Sequence, residues 1–404
     1  MNEPVADVRR RKLIGTEIRL LSSAHTILKR LMASPQWFEF NDVADVPSPA
    51  LLVYRDRVKE NVRRMLAIAR GPDRLRPHIK THKMREVLDL QLAAGIKKFK
   101  CATIAEAELA AMAGVPDLLL AYQPVGPAIP RLIELIKAFP QTTFSAISDD
   151  LGSLKRLSDA IRASEQTNDK LEVLVDLDIG QHRTGLPPGP EALKLYRVIA
   201  SSPNLKPGGL HAYDGHISDA DPAVRKVASD EAFASVADLK NGLESAGFPV
   251  PRVVAGGSPT FPFHASRPDV ECSPGTTVFW DSGYGNKLRD LDFLPAALAL
   301  TRVVSKPGPN LLCLDLGHKA LGSEMPHPRV QFLNLPDYNA LTHSEEHLVI
   351  ETLNANQFNI GDCLYGVPRH ICPTVALYSS AVVIENHQIV GSWRVAARER
   401  RISV

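Results

Sequence analysis

Cysteine is too sparse and too scattered in this chain to build a framework. The five cysteines, at 101, 272, 313, 363 and 372, are odd in number and spread over 404 residues. That pattern argues against a disulfide scaffold and for a reducing compartment. An excess of one charge is missing too: 47 basic residues against 45 acidic leave a net charge of +2. Without a basic field, neither a nucleic-acid nor a membrane partner is expected. No apolar run approaches the roughly 18–20 residues of a membrane span, and no secretory h-region follows the first residues. Internal repeats, heptads and low-complexity tracts are absent as well. The basic run Arg9–Lys12 has Glu3 and Asp7 beside it, where transit peptides avoid acids, and reads as a solvated tail. A cytoplasmic globular protein is the expectation.

What the sequence does contain is a regular alternation of strand and helix. After a helical N-terminal extension over residues 1–46, with apolar spacing from Ile14 to about Met32, short β-like runs recur. They fall at Leu75–Lys80, Lys97–Ala102, Leu118–Tyr122, Thr142–Ile147, Glu172–Asp178, Gly209–Tyr213, Arg252–Ala255 and Thr276–Phe279. Most are followed by amphipathic stretches such as Ile129–Phe139 and Leu151–Ala163. Eight strands interleaved with helices predict an α/β fold, a (β/α)8 TIM barrel over residues 47–290. Past Ser282 the texture changes to short β runs with turn residues between them, up to Thr374–Ile384 and Ile389–Val395. A mostly antiparallel β domain is therefore expected over 291–404.

One stretch concentrates the chemistry: Arg76-Pro77-His78-Ile79-Lys80-Thr81-His82-Lys83. A lysine among cationic neighbours has its ammonium form disfavoured, which suits it to attack a carbonyl. On a strand, His78 and Lys80 would share one face and aim at one place at the strand end. In a barrel the active site lies at the C-terminal ends of the strands, with phosphate held by the loops after strands 7 and 8. The seventh run ends in Ala255-Gly256-Gly257-Ser258-Pro259-Thr260, and Ser273-Pro274-Gly275-Thr276-Thr277 opens the eighth. Glycines that let backbone N–H groups approach an anion, with hydroxyls beside them, fit a phosphate. Together with Lys80 they describe a phosphorylated aldehyde held at both ends, pyridoxal 5'-phosphate in a Schiff base.

These motifs resemble the fold-type III pyridoxal-phosphate enzymes, the alanine racemase-like group. The stretch around Lys80 resembles their D-threonine aldolase and D-serine dehydratase family, a likeness that runs from about residue 47 to 400. The resemblance implies that Lys80 carries the cofactor with His78 beside it. Asp176-Leu-Asp-Ile-Gly-Gln-His-Arg183-Thr-Gly185 is similar to a family segment that places Arg183 near the cofactor or the substrate carboxylate. Leu210-His211-Ala212-Tyr213-Asp214-Gly215-His216 is similar to another, with Tyr213 as the ring contact. Gly256, Gly257, Ser258, Thr260 and Thr276 would bind the phosphate. The resemblance also moves Ala50–Tyr54 out of the barrel and into the β domain, and implies a homodimer.

Pro368-Arg369-His370-Ile371-Cys372-Pro373-Thr374 is the second motif. On an extended strand His370 and Cys372 would project to one side, so an imidazole and a thiolate could share a metal ion. In the family, a His-x-Cys or His-x-Asp pair at this point binds a divalent ion near the substrate's β-hydroxyl. The thiolate favours zinc, with manganese or magnesium as the harder alternatives. The implied activity is a lyase acting on a small D-β-hydroxy amino acid. Either elimination gives a keto acid and ammonia, or retro-aldol cleavage gives glycine and an aldehyde, and the sequence does not separate the two. An amino-acid racemase would need no metal, a non-catalytic pyridoxal-phosphate carrier would not need residues 290–404, and a metal-only barrel enzyme would leave the Lys80 stretch unexplained.

Overall fold

The computed structural model of the chain describes residues 36–164 and 170–404. The helix expected between Ile14 and Met32 lies outside the described residues. Two sheets organise the rest. The first is parallel and seven-stranded, in the order of the sequence: β2 (Lys98–Cys101), β3 (Asp117–Leu120), β4 (Thr143–Ser148), β5 (Leu171–Leu177), β6 (Leu205–Ala212), β7 (Val253–Ala255) and β8 (Val270–Cys272). Helices between the strands cover its outside, and several have a side-chain cap at their start. Thr103 caps Ile104–Met112 by accepting the Glu106 N–H at 3.1 Å, and Asp150 caps Leu151–Ala163 by accepting the Ser153 N–H at 2.6 Å. Such caps satisfy N–H groups that a helix cannot satisfy itself.

The sheet curls into a barrel and is closed by the segment Arg74–His78, which is too irregular to count as a strand. Cys272 N–H donates to Arg74 O at 2.8 Å, Arg76 N–H to Cys272 O at 2.8 Å, and Lys100 N–H to Pro77 O at 2.9 Å. Isolated parallel bridges join Leu75 to Cys272 and His78 to Lys100. The expected first strand, Leu75–Lys80, is thus corrected. Pro77 has no N–H for a ladder, and the chain turns into the 3₁₀ turn Ile79–Thr81. The eighth strand is corrected as well: Thr276–Val278 is a 3₁₀ turn, and the strand is Val270–Cys272. Six of the eight expected runs match strands within a few residues.

Alternation along the strands fills the barrel in layers. At the N-terminal ends, Arg76, Lys98, Asp117 and Glu271 form ion pairs, Arg76 to Asp117 at 2.8 Å and to Glu271 at 2.6 Å, Lys98 to Glu271 at 2.7 Å. Two residues further along, Leu119, Ile147, Leu174 and Val254 pack as an apolar plug. Beyond them, Lys100, Asp176 and His211 are buried below the mouth.

The second sheet is nine-stranded and mostly antiparallel. It contains β1 (Ala50–Tyr54), β9 (Ala297–Gly308), β10 (Leu311–Leu314), β11 (Val330–Phe332), β12 (Asn339–His343), β13 (Leu348–Glu351), β14 (Cys363–Pro368), β15 (Ser380–Glu385) and β16 (Gln388–Arg394). As the resemblance implied, β1 lies here, antiparallel to β9 and parallel to β15. The run expected as one strand, Thr374–Ile384, is split: Ile371–Leu377 is a helix, and β15 follows it. Pro373 falls in the first turn of that helix, where a missing N–H costs nothing. Among the described residues no helix is long and apolar enough to cross a membrane.

Candidate active site

The eight-residue basic stretch sorts into anchors and free groups. Arg76 is buried between Asp117 and Glu271, and Lys83 pairs with the carboxylate of Glu106. His82 is buried with Nδ1 at 3.1 Å from the Met84 N–H. Three residues of the stretch line the cavity, the ion-paired Lys83 and, without a carboxylate partner among the described residues, His78 and Lys80. His78 caps the 3₁₀ turn by accepting the Lys80 N–H on Nδ1 at 3.2 Å. Lys80 projects over the mouth, its Nζ 5.8 Å from the centroid of the Tyr213 ring. Burial, reinforced by Lys80 and Lys100, holds His78 well below the usual imidazole range.

A cavity of about 500 Å³ opens at the C-terminal ends of the strands and is lined by His78, Lys80, Arg183, Tyr213, Gly257 and Ser258, and equally by Thr276, His370 and Cys372. The Arg183 guanidinium stands 4.9 Å from the Tyr213 ring, on the side open to solvent. Ser258 Oγ accepts the N–H groups of Gly275 at 3.2 Å and Thr276 at 3.1 Å, tying the loop after β7 to the loop after β8. Gly256 and Thr260, expected at the phosphate, are not among the residues that line the cavity. The Thr260 hydroxyl donates to Asp214 at 2.7 Å and accepts the Gly257 N–H at 3.3 Å. Gly256 has φ +81°, and a Cβ there would come 2.5 Å from His264 Cδ2. Asp214 organises this corner, taking Thr260, the Gly257 N–H at 3.2 Å and His264 Nε2 at 2.7 Å.

The cavity wall has a feature that fits an anion or cofactor: Ser273, which lines it, has a buried hydroxyl with no partner. A buried hydroxyl without a partner is costly unless a ligand satisfies it.

His370 and Cys372 reach the cavity by a route different from the expected one. They are not on a strand. His370 is the capping residue of helix Ile371–Leu377 and Cys372 sits in its first turn. Asp281, itself buried, accepts the N–H of Ile371 at 3.2 Å and that of Tyr284 at 2.9 Å, pinning the helix start to the barrel. Cys372 Sγ lies 3.2 Å from the Thr81 hydroxyl, next in sequence to Lys80, and 3.8 Å from that of Thr276. His370 Nδ1 is 2.5 Å from Glu324 Oε1. Burial would push His370 down, but Cys372 and Glu324 outweigh it and lift it to about 9. Burial would push the Cys372 thiol up, yet His370 and Thr81 hold it below the usual thiol range. A divalent ion would have to displace the His370 proton; the imidazole and thiolate that result are a donor pair suited to a soft ion. Among the described residues no group of three or more His, Cys, Asp or Glu side chains forms a metal cluster.

Sequence reading missed the floor of the cavity. Lys100 lines it, with Nζ 5.7 Å from the Tyr213 ring and 3.5 Å from His211 Nε2, while His211 Nδ1 is 2.7 Å from Asp176 Oδ1. Burial, aided by Lys80, pulls Lys100 down to about 7 against the pull of Asp176 and Asp214. The available signal was the period-two pattern of Lys98 and Lys100 and of Glu172, Leu174 and Asp176, which puts charged residues on an inward face.

Comparisons with known proteins agree with this arrangement. The family model described as alanine racemase, N-terminal domain, matches residues 53–282, and a serine dehydratase domain model matches 296–384. The chain is 29% identical to D-threonine aldolase of Arthrobacter sp over 362 residues, covering 88% of this chain and 94% of that protein. It is 25% identical to D-threo-3-hydroxyaspartate dehydratase of Delftia sp. (strain HT23), covering 86% and 96%. Among solved structures, D-threonine aldolase from Filomicrobium marinum superposes with a TM-score of 0.82 at 26% identity, covering 91% of this chain and 99% of that one. The chain belongs to the family that joins an alanine racemase N-terminal domain to a serine dehydratase domain, the D-threonine aldolase and D-serine dehydratase family.

Proposed function

We propose that the protein is a pyridoxal-phosphate- and divalent-metal-dependent lyase acting on D-β-hydroxy amino acids. The observation that carries the reading is a juxtaposition: Lys80 at the barrel mouth and the His370–Cys372 pair of a distant segment line one cavity. Relatives named as aldolases and dehydratases of D-threonine, D-serine and 3-hydroxyaspartate support it. Residues 47–290, except for the strand that joins the second sheet, would serve the cofactor, and 291–404 would serve the metal.

Lys80 would hold the cofactor's aldehyde carbon. The Gly257–Ser258 loop, Ser273 and Thr276 would hold its phosphate, with the unpartnered Ser273 hydroxyl as the group most in need of an acceptor or donor. The cofactor, when bound, supplies a sink for negative charge at the substrate's α-carbon. His370 and Cys372 would hold a divalent ion, zinc favoured by the thiol, which supplies positive charge for a β-hydroxyl. Glu324 fixes the His370 ring by its contact with Nδ1 and so leaves Nε2 for the ion. Arg183 offers a guanidinium to the α-carboxylate from the open side, and Tyr213 supplies an aromatic face between Arg183 and the two lysines.

Elimination requires a base at the α-carbon proton, and cleavage requires one at the β-hydroxyl proton. Incubating the cofactor-loaded protein with D-serine, D-threonine and D-3-hydroxyaspartate, with glycine and keto acid assayed separately, tests the reading and separates the outcomes. Turnover of none of the three, with zinc or manganese present, would reject it.

A further inference from the structure

Around the closing segment, Arg76, Lys83 and Lys98 are matched by carboxylates, and Arg74 by backbone carbonyls. Arg76 has Asp117 and Glu271, Lys98 has Glu271, and Lys83 has Glu106. Lys100 differs. It is 2% exposed, on the inward face of β2, and it lines the cavity. Among the described residues no carboxylate forms an ion pair with it. Its one side-chain partner is His211 Nε2 at 3.5 Å.

The tautomer follows from the neighbours. Asp176 is held ionised, mainly by His211 against the effect of burial, so His211 donates from Nδ1 to Asp176 and presents the Nε2 lone pair to Lys100. One N–H of the amine is used there. An ammonium has three, and the side not facing His211 is the cavity. The groups that face Lys100 are Lys80 and Arg76, which disfavour its charge, Asp176 and Asp214, which favour it, and the buried imidazoles of His78 and His211. Burial and these neighbours together lower the amine to about 7. An anionic oxygen placed in the same cavity adds the missing counter-charge and an acceptor.

We propose that Lys100 is a second ligand-binding amine of this site, donating to an anionic oxygen of the bound cofactor or substrate and taking up a proton as that ligand binds. Asp176 and His211 are its positioning residues. The proton passes from buffer to the Nζ lone pair, and no bond of the ligand breaks in this step. The inference rests on the reading of the cavity as a pyridoxal-phosphate site.

Calorimetry at pH 7 in two buffers of different ionisation enthalpy counts the protons. One arm titrates pyridoxal phosphate into cofactor-free protein, and the other titrates D-alanine, which has no β-hydroxyl, into loaded protein. Lys100→Met and Lys100→Arg are measured beside the wild type. An amine that burial holds well below the usual lysine range is only partly charged near pH 7, and it takes up a fraction of a proton when binding completes its charge. The wild type is therefore expected to take up more protons than either variant in one arm, and that arm identifies whether cofactor or substrate supplies the oxygen. A merely structural lysine would change affinity without changing the proton count. Equal uptake by all three proteins in both arms overturns the inference while leaving the cofactor reading intact. A wild type that binds no pyridoxal phosphate overturns both. Should Lys100→Met fail to fold by circular dichroism, Lys100→Arg, which keeps a permanent charge, decides alone.

Discussion

Replacing Arg76 by methionine tests whether the ion-paired layer fixes the segment that ends in Lys80. The guanidinium is wholly buried and makes three charge-assisted hydrogen bonds, Nη1 and Nη2 to the two oxygens of Asp117 at 2.8 and 2.9 Å and Nε to Glu271 at 2.6 Å. Methionine keeps the stem and removes the charge. Breaking a buried pair from one side costs about 3–5 kcal/mol, because the partner is left uncompensated. Here Lys98 remains on Glu271 at 2.7 Å, and Asp117 keeps a quarter of its side-chain exposure. Both lessen the penalty, so about 3 kcal/mol is expected at pH 7. Guanidinium unfolding followed by the fluorescence of Trp280, a buried residue of the same core, would measure it.

The sign of the pH dependence gives a second check. Burial would raise Asp117 and Glu271, but Arg76, with Lys98, outweighs it and holds both below the usual carboxylate range. Groups with depressed values contribute stability that is present above their unfolded values, near about 4, and is lost as pH falls through the folded ones. Wild type should therefore lose this contribution in acid, while Arg76→Met has little of it to lose. The gap between the two proteins should be widest near pH 7 and narrow below about pH 4. A deficit under about 1 kcal/mol, or a gap unchanged down to pH 3, would refute the argument that these pairs carry the closing segment.

Borohydride reduction of the cofactor-loaded protein followed by peptide mapping should place the pyridoxyl group on Lys80; label on Lys83, or on no lysine, rejects that assignment. Thr260→Val removes the hydroxyl that donates to Asp214 and steadies the Gly257 N–H, and hydrogen bonds to charged groups are worth about 1.5–3 kcal/mol. Affinity for pyridoxal phosphate, read from absorbance titration, should fall about tenfold or more, and an unchanged affinity would mean that the loop holds no phosphate. A chelator should remove the metal and abolish turnover while the cofactor's absorbance persists. Cys372→Asp should then move the metal preference from zinc toward manganese, and activity that survives both chelation and Cys372→Ala counts against a metal-assisted lyase.

Much of the barrel was legible because strand and helix periods differ so clearly in this chain. The failures came where a local residue overrode the period. Leu75–Lys80 has strand-like alternation, but Pro77 removes a ladder donor, and the chain leaves the sheet as a 3₁₀ turn capped by His78. Thr276–Phe279 looks like a strand from its β-branched and aromatic residues, whereas the real strand, Val270–Cys272, is three residues long with a charged centre. Glu271 is inward because Arg76 and Lys98 meet it there, a partnership between residues about 170 to 195 positions apart that no window on the sequence contains. Lys100 was missed for a related reason: a lysine on a short strand reads as exposed until its strand is known to face the inside of a closed barrel.

His370 and Cys372 both line the cavity, but from a helix start rather than from the expected strand. Alternation on a strand would have put both side chains on one face. A helix start does so by other means, since the capping residue is extended and the chain turns immediately after it. What fixes that turn is the buried carboxylate of Asp281, pushed up to about 6 by burial and bonded to the N–H groups of Ile371 and Tyr284. Asp281 lies just beyond the eighth strand, so the segment that follows the barrel orients the helix that would bring the metal. Thr81 and Thr276, touching Cys372 from the turn of Lys80 and from the loop after β8, complete the same contact from the other side. On the reading proposed above, the barrel side of this seam would serve the cofactor and the helix side the metal. Asp281→Asn is therefore expected to lower turnover of the proposed lyase while leaving the absorbance titration with pyridoxal phosphate unchanged, and an equal loss of cofactor affinity would refute this reading of the seam.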